Sequence, residues 1–215
     1  MEKCYDESHL DLFKISSRVL VAGSSGSGKS ELVKNIVIKY NEYFYKILII
    51  GTSYHPIQKE PLLSNKVVIS KEIIDPSDHV DNYGEGGLLV IYDDVFISAT
   101  NNSTVVDVFT KGRHQGISAI FITQNLFMPG KFSRSISLNC THFILLKQRD
   151  LGQIETLGRQ LFGRDCAKDV ITIYKRCIAE PFGYLLIDLG ISTPELLRFR
   201  SYIVNEKEWE VVYIP

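Results

Sequence analysis

Residues 23–30 read Gly23-Ser24-Ser25-Gly26-Ser27-Gly28-Lys29-Ser30, and this octet decides the fold. It satisfies the pattern GxxxxGK[ST] at every position. Glycines let a backbone curl until successive N–H groups converge on phosphate oxygens. Lys29 is then in reach of the β- and γ-phosphates, and the Ser30 hydroxyl can ligate magnesium. The flanks agree with that reading. An apolar run from Arg18 to Ala22 precedes the loop. After it, Val33, Ile36, Val37 and Tyr40 recur at the spacing of one buried helix face between Lys29 and Tyr40. Strand, loop and helix in this order deliver an anion to a helix N-terminus, where the peptide dipoles favour negative charge. All eight residues are therefore expected to bind a nucleotide, with ATP as ligand and Mg2+ as its ion.

Outward from the loop, short apolar runs alternate with helical patterns, which predicts an α/β fold with a mostly parallel central sheet flanked by helices. Further strands are expected at Lys46–Ile50, Lys66–Ile69, Leu88–Tyr92, Ser118–Thr123, His142–Leu146 and Tyr184–Asp188, with a late strand at Trp209–Ile214. Asp150 to Leu161 reads as a helix. Ser70 to Gly87, with Pro76 and three glycines near its end, reads as an irregular connection. The 215 residues suit a single P-loop ATPase domain over 1–215, its core at about 16–190 and a C-terminal extension at about 191–215.

A phosphate loop needs a second magnesium ligand from the end of a neighbouring strand. Leu88-Leu89-Val90-Ile91-Tyr92-Asp93-Asp94 supplies an apolar run and then two carboxylates. Asp93 fits the metal-holding role, and Asp94, one residue on, can polarise the attacking water. Many such ATPases have Glu at that second position, so the shorter Asp94 is a departure. The run Ile117 to Asn125 ends in Thr123, Gln124 and Asn125. Ligands of open α/β sheets bind beyond the carboxyl ends of the strands. Gln124 can thus meet the γ-phosphate or the lytic water, or the three polar residues can simply cap the strand. Both readings stand. Upstream, Arg113 lies in the Gly-punctuated turn Gly112-Arg113-His114-Gln115-Gly116. A permanently charged guanidinium there can act as a finger on a neighbouring subunit's phosphates, or be a solvated loop arginine.

Composition narrows the classes. Hydrophobic residues make up 45% and charged residues 23%, as in ordinary globular proteins. A formal net charge of −1 gives no global sign of nucleic-acid binding, so any DNA contact must come from local cations. Lys111 and Lys131, both expected in loops near the strand ends, are candidates, though each taken alone reads rather as solvated surface. Cys4, Cys140, Cys166 and Cys177 show no CxxC pairing and read as reduced thiols. No apolar run approaches the ~20 residues that span a bilayer, and the polar first twelve residues do not resemble a secretory signal. A soluble protein without a membrane partner is expected.

Taken together, these blocks resemble the FtsK–HerA superfamily of ring-forming, RecA-like DNA-pumping ATPases. Within it they are most similar to the poxvirus-type genome-packaging ATPases of large DNA viruses, virophages and polinton-like elements. The resemblance runs from about Arg18 to Asp150, more weakly to Ile187. Its most specific piece is Gly112-Arg113-His114-x-x-x-Ser118-x-Ile120-x-x-Thr123-Gln124-Asn125-Leu126-Phe127. It implies Gln124 as a γ-phosphate sensor and Arg113 as the finger acting across subunits, with Arg134 and Arg149 as alternatives. It implies a homo-oligomeric ring, pentamer or hexamer, that drives double-stranded DNA into a preformed capsid and meets a capsid or portal-vertex protein. The host-cell cytoplasm or a viral factory is the implied location. No length is left for a terminase-type nuclease. A regulatory P-loop switch acting on protein partners is the alternative. A nucleotide kinase would want an arginine-rich lid, for which Arg164, Lys168, Lys175 and Arg176 are weak material.

Overall fold

The structure is a computed structural model that describes residues 12–13, 16–80, 86–127, 129–204 and 211–214. The strands are Arg18–Ala22 (β1), Phe44–Ile50 (β2), Val67–Ser70 (β3), Gly87–Tyr92 (β4), Ile117–Thr123 (β5), His142–Leu146 (β6), Tyr184–Asp188 (β7), Phe199–Ser201 (β8) and Val211–Tyr213 (β9). They form one sheet in the order β3-β2-β4-β5-β1-β6-β7-β8-β9. The first six are mutually parallel, and the last three continue the sheet antiparallel. The helices are Lys29–Lys39 (α1), Phe96–Thr100 (α2), Ser103–Lys111 (α3), Ser133–Leu138 (α4), Leu151–Phe162 (α5) and Ala167–Cys177 (α6).

Both faces of the sheet are covered, which is why its strands are continuous apolar runs. Successive side chains alternate faces. Val19, Val21, Ile49, Ile91 and Ile122 pack with Val33, Ile36 and Val37 of α1 on one side. On the other, Leu20, Leu48, Val90, Phe121 and Phe143 pack with residues of α3, α5 and α6, among them Phe109, Leu157 and Tyr174.

Strand direction positions the site. The pairs Ala22↔Thr123, Ala22↔Leu145 and Tyr92↔Phe121 bring the carboxyl ends of β1, β4, β5 and β6 to one edge. The antiparallel pair Leu146↔Tyr184 brings the start of β7 there too, and β8, antiparallel to β7, ends at that edge after Ser201. Asp188, paired with Arg200 at 2.7 Å and His142 at 3.3 Å, ties β6, β7 and β8 together at the opposite edge.

The expected strands are observed with ends moved by a residue or two, and α5 starts where Asp150, as cap, accepts the Gly152 N–H. Between β3 and β4 the described chain is irregular, with a short turn at Pro76–His79 capped by Asp75. Four helices and β8 were not expected. Two are instructive. Helix α3 is rich in β-branched residues, yet Asn102 caps it and it buries Val105, Val108 and Phe109. The 164–176 region is no lid: α6 buries Val170, Ile173 and Tyr174 and turns Lys168, Lys175 and Arg176 outward. Cys140 and Cys177 are buried free thiols, and Cys166 is an exposed one. Cys4 and the start of the last expected strand, residues 209–210, lie outside the described residues. Among the described residues no helix is long and apolar enough to cross a membrane.

Candidate functional site

The loop after β1 is anchored on both sides. The Gly23 N–H donates to the Thr123 carbonyl (3.2 Å) and the Ser24 N–H to the Lys147 carbonyl (2.9 Å). Gly28 enters α1 at φ 92°, a left-handed conformation that any side chain would strain. The Lys29 ammonium folds back over the loop and donates to the carbonyls of Gly23 (2.7 Å) and Ser24 (3.0 Å). Partial burial lowers its pKa from the ordinary lysine value, while Asp93 and Asp94 pull the other way. Those two weak carbonyl partners are exchangeable for phosphate oxygens, which are charged and bind a cation more strongly.

The acidic pair sits where β4 ends. Asp93 is buried, and its N–H donates to the Ile50 carbonyl at 3.0 Å. The Ser30 hydroxyl lies 3.4 Å from Asp93 Oδ2. Burial first, then the Asp94 charge, pushes the Asp93 carboxyl up to about 6. Gly51, at φ 103°, lets β2 pass this turn: a Cβ there would lie 2.6 Å from the Asp93 carbonyl and 2.0 Å from Val95 Cγ1. Asp94 has φ 57° and is exposed. Aspartate is one of the few side chains that tolerate the left-handed region. That is a physical reason for Asp rather than Glu at this position.

Two neighbours were not foreseen. His55 is fully buried, and its Nδ1 accepts the Ile57 N–H at 3.3 Å. Burial pushes the imidazole down to about 4, so the neutral ring keeps its proton on Nε2. Nε2 has no hydrogen-bond partner among the described residues and stands 3.8 Å from Asp93 Oδ2. The only trace in sequence is the capping pair His55 and Gln58, whose Oε1 accepts the His55 N–H. Gln148, after β6, is the other. With its amide oriented to satisfy both ends, it donates to the Gln124 carbonyl (3.2 Å) and accepts from the Gly23 N–H (3.1 Å). Tyr174 of α6 fixes this exit by accepting the Gln148 N–H (2.8 Å) and donating to the Leu146 carbonyl (2.9 Å).

At the end of β5 the polar triplet divides its work. The Thr123 hydroxyl donates to the Asn125 carbonyl (3.0 Å) and accepts the Asn125 N–H (3.2 Å), which caps the strand. The Gln124 side chain has no hydrogen bond to any described residue and lines a cavity of about 630 Å3. Lys29, Ser30, Asp93 and Asp94 line the same cavity, together with Thr52 and Tyr54.

Arg113 is not brought to this cavity. Its turn precedes β5, and a parallel strand begins at the edge opposite its end. Seven residues at ~3.3 Å each put Arg113 roughly 20 Å from Gln124. Its charge is felt instead by Arg18 at the start of β1. Within one subunit Arg113 thus lies at the edge of the sheet opposite the nucleotide. Arg149 is exposed just beyond β6, at the nucleotide edge, and Arg134 is exposed in α4. Lys111 belongs to the last turn of α3 rather than a loop and pairs with Asp107 at 2.7 Å. Lys131 is exposed in the connection to α4, 5.0 Å from the Phe132 ring centroid.

The residues fit magnesium. Mg2+ takes oxygen ligands at about 2.0–2.1 Å and is usually held by one or two protein groups plus phosphates and water. A hydroxyl and a carboxylate oxygen 3.4 Å apart, at the mouth of a phosphate loop, are close to what two adjacent octahedral positions need.

No protein-family model matches this chain, and no curated protein matches its sequence. Solved structures do match. The genome packaging NTPase B204 of Sulfolobus turreted icosahedral virus 2, in complex with ATPγS, superposes with a TM-score of 0.59 at 16% identity, over 83% of this chain and 95% of that one. B204 of Sulfolobus turreted icosahedral virus, a DNA-packaging ATPase, gives 0.55 at 14% identity over 94% and 99%. The pCW3 conjugation coupling protein TcpA gives 0.55 at 13% identity, over 90% of this chain and 62% of that one. The fold is that of the P-loop NTPases. At these identities the likeness speaks for the fold.

Proposed function

We propose that this chain is an ATP-hydrolysing motor subunit of the FtsK–HerA superfamily, of the kind that drives double-stranded viral DNA into a preformed capsid. The observation that carries the reading is the convergence of Lys29, Ser30, Asp93, Asp94 and Gln124 on one cavity at the carboxyl edge of the parallel strands. Loop N–H groups and Lys29 bind the phosphates. Ser30 and Asp93 would hold magnesium, which would supply charge neutralisation for the phosphates. Asp94 orients the attacking water and Gln124 meets the γ-phosphate. Likeness in fold to two packaging NTPases, one bound to ATPγS, supports the nucleotide and the DNA cargo.

Arg113 acts on a neighbour in this reading. Because it is at the start of β5, its reach to another subunit's phosphates requires one subunit's strand-start edge to face the next one's strand-end edge. That is a head-to-tail contact, the type that closes into rings. The ring, its capsid-vertex partner and its work in the host cytoplasm or viral factory belong to the same proposal.

The experiment is ATP turnover by the wild-type protein with and without duplex DNA, beside Lys29→Ala. We expect Mg-dependent hydrolysis that rises with DNA and is absent in Lys29→Ala. Turnover indifferent to DNA would favour a regulatory switch. Turnover surviving in folded Lys29→Ala would refute the site.

A further inference from the structure

A second cavity, of about 380 Å3, opens on the other side of the phosphate loop and shares Gly28 and Glu31 with the first. Its floor is a stripe of α1: Gly28, Glu31, Leu32 and Asn35 recur at helical spacing and so lie on one face. Its opposite walls are the turn into β7, with Phe182, and the exit from β8, with Tyr202. Both turns reach this edge through the antiparallel register of β6, β7 and β8. The volume lies within the range of small-ligand pockets.

Phe182 and Tyr202 are held in the left-handed region, at φ 62° and 58°. A bulky residue there has a backbone cost that glycine would remove. Packing does not offset it for Phe182, which is 73% exposed. Its ring nevertheless touches the phosphate loop: a Cβ on Gly28 would lie 2.9 Å from Phe182 Cδ1. Among the described residues the third non-glycine with positive φ is Asp94, in the first cavity. All three strained residues thus border two adjoining cavities around one loop, and strain of this kind gathers at ligand sites.

We infer that the second cavity takes the base and ribose of the nucleoside triphosphate whose phosphates lie on the loop, with Phe182 as the stacking surface and Tyr202 closing the far wall. The inference rests on the phosphate-loop reading and names the rest of its ligand. A triphosphate seated at Gly28–Ser30 can extend its sugar past Glu31 into the shared rim. Beyond it are aromatic and aliphatic surfaces suited to a flat π-system, and the charged residues among the described lining, Glu31 and Glu180, are both acidic. On the other side of the loop the first cavity carries Asp93, Asp94 and Gln124, the groups assigned above to the metal, the attacking water and the γ-phosphate.

The test compares the affinities of MgATP and Mg-tripolyphosphate, measured by calorimetry, for wild type, Phe182→Gly and Phe182→Trp. Phe182→Gly relieves the left-handed backbone, and thermal unfolding separates any loss of fold from a loss of affinity. Stacking on an aromatic ring supports an expected loss of about 5- to 150-fold for ATP. Tripolyphosphate affinity should not change, and Phe182→Trp should bind ATP like the wild type. Equal losses for ATP and tripolyphosphate would mean that the ring only braces the loop, and would overturn the inference. So would unchanged ATP affinity in Phe182→Gly. If the wild type binds neither ligand, the phosphate-loop reading fails first and this inference with it.

Discussion

Asp93→Asn should stabilise the nucleotide-free protein, although it removes a residue central to the proposed chemistry. The Asp93 carboxyl is raised from 3.8 to about 6, by burial and then by the adjacent Asp94 charge. A folded-state pKa above the unfolded one means that the native protein binds the proton more tightly. Ionising Asp93 therefore costs stability as pH rises from 3.8 to 6, and the cost is complete above pH 6. At 1.36 kcal/mol for each pH unit it amounts to about 3 kcal/mol at most. Asparagine keeps an oxygen for the Ser30 hydroxyl while removing the buried charge. For a chain of this length the gain corresponds to about 6–12 °C in Tm at pH 8. It should shrink toward zero near pH 4, where the folded wild-type Asp93 carboxyl is itself protonated and uncharged.

Adding MgATP should reverse the order. Ligand at a thousandfold excess over Kd stabilises the binding-competent wild type by about 4.1 kcal/mol, more than the difference at stake, and the variant should gain much less. Thermal unfolding across pH 4–8, with and without MgATP, measures both effects. A constant offset between the two proteins across that range would refute the reasoning, as would an Asn variant that is less stable at pH 8. Either result would mean that the Asp93 carboxylate is already satisfied by its neighbours rather than held at a cost until a cation arrives.

Gly51→Ala should be severely destabilising and should disturb the acidic turn. Its Cβ would meet Val95 Cγ1 at 2.0 Å and the Asp93 carbonyl at 2.6 Å, so overpacking of about 1–3 kcal/mol adds to a left-handed penalty of roughly 1–2 kcal/mol. Chemical denaturation checks the sum, and a loss below about 1 kcal/mol would show that the turn yields freely. Tyr174→Phe should lower stability by about 1–3 kcal/mol, since it strands the Leu146 carbonyl and the Gln148 N–H. It should also weaken nucleotide binding, because the same strand exit holds Ser24 and Gly23. Full nucleotide affinity in a destabilised variant would separate α6 from the site.

What the sequence made legible was local or periodic. The octet at 23–30 specifies its own strand–loop–helix geometry, and the apolar runs of the parallel strands stand out because both of their faces are buried. Helix α3 was hidden because its valines and threonines favour strands, and only contact with Phe121 and the sheet makes it helical. His55 was hidden because nothing in a lone His-Pro step announces that β2 will deliver it beside Asp93. Arg113 shows a different limit. Ten residues separate it from Gln124 in sequence, and nearness in sequence would suggest nearness to the cavity. A strand between them forces the reverse, since an extended segment carries its two ends to opposite edges of the sheet. The same rule, applied to β7 and β8, brings Phe182 and Tyr202 from distant parts of the chain to the loop that Gly28 opens. Direction of travel through the sheet, more than motif content, decides which residues can share a substrate. Asp94 follows from the same logic: the chain must turn left-handed at the end of β4 to present its carboxylate to the cavity, and a side chain at φ 57° is best one that tolerates that region.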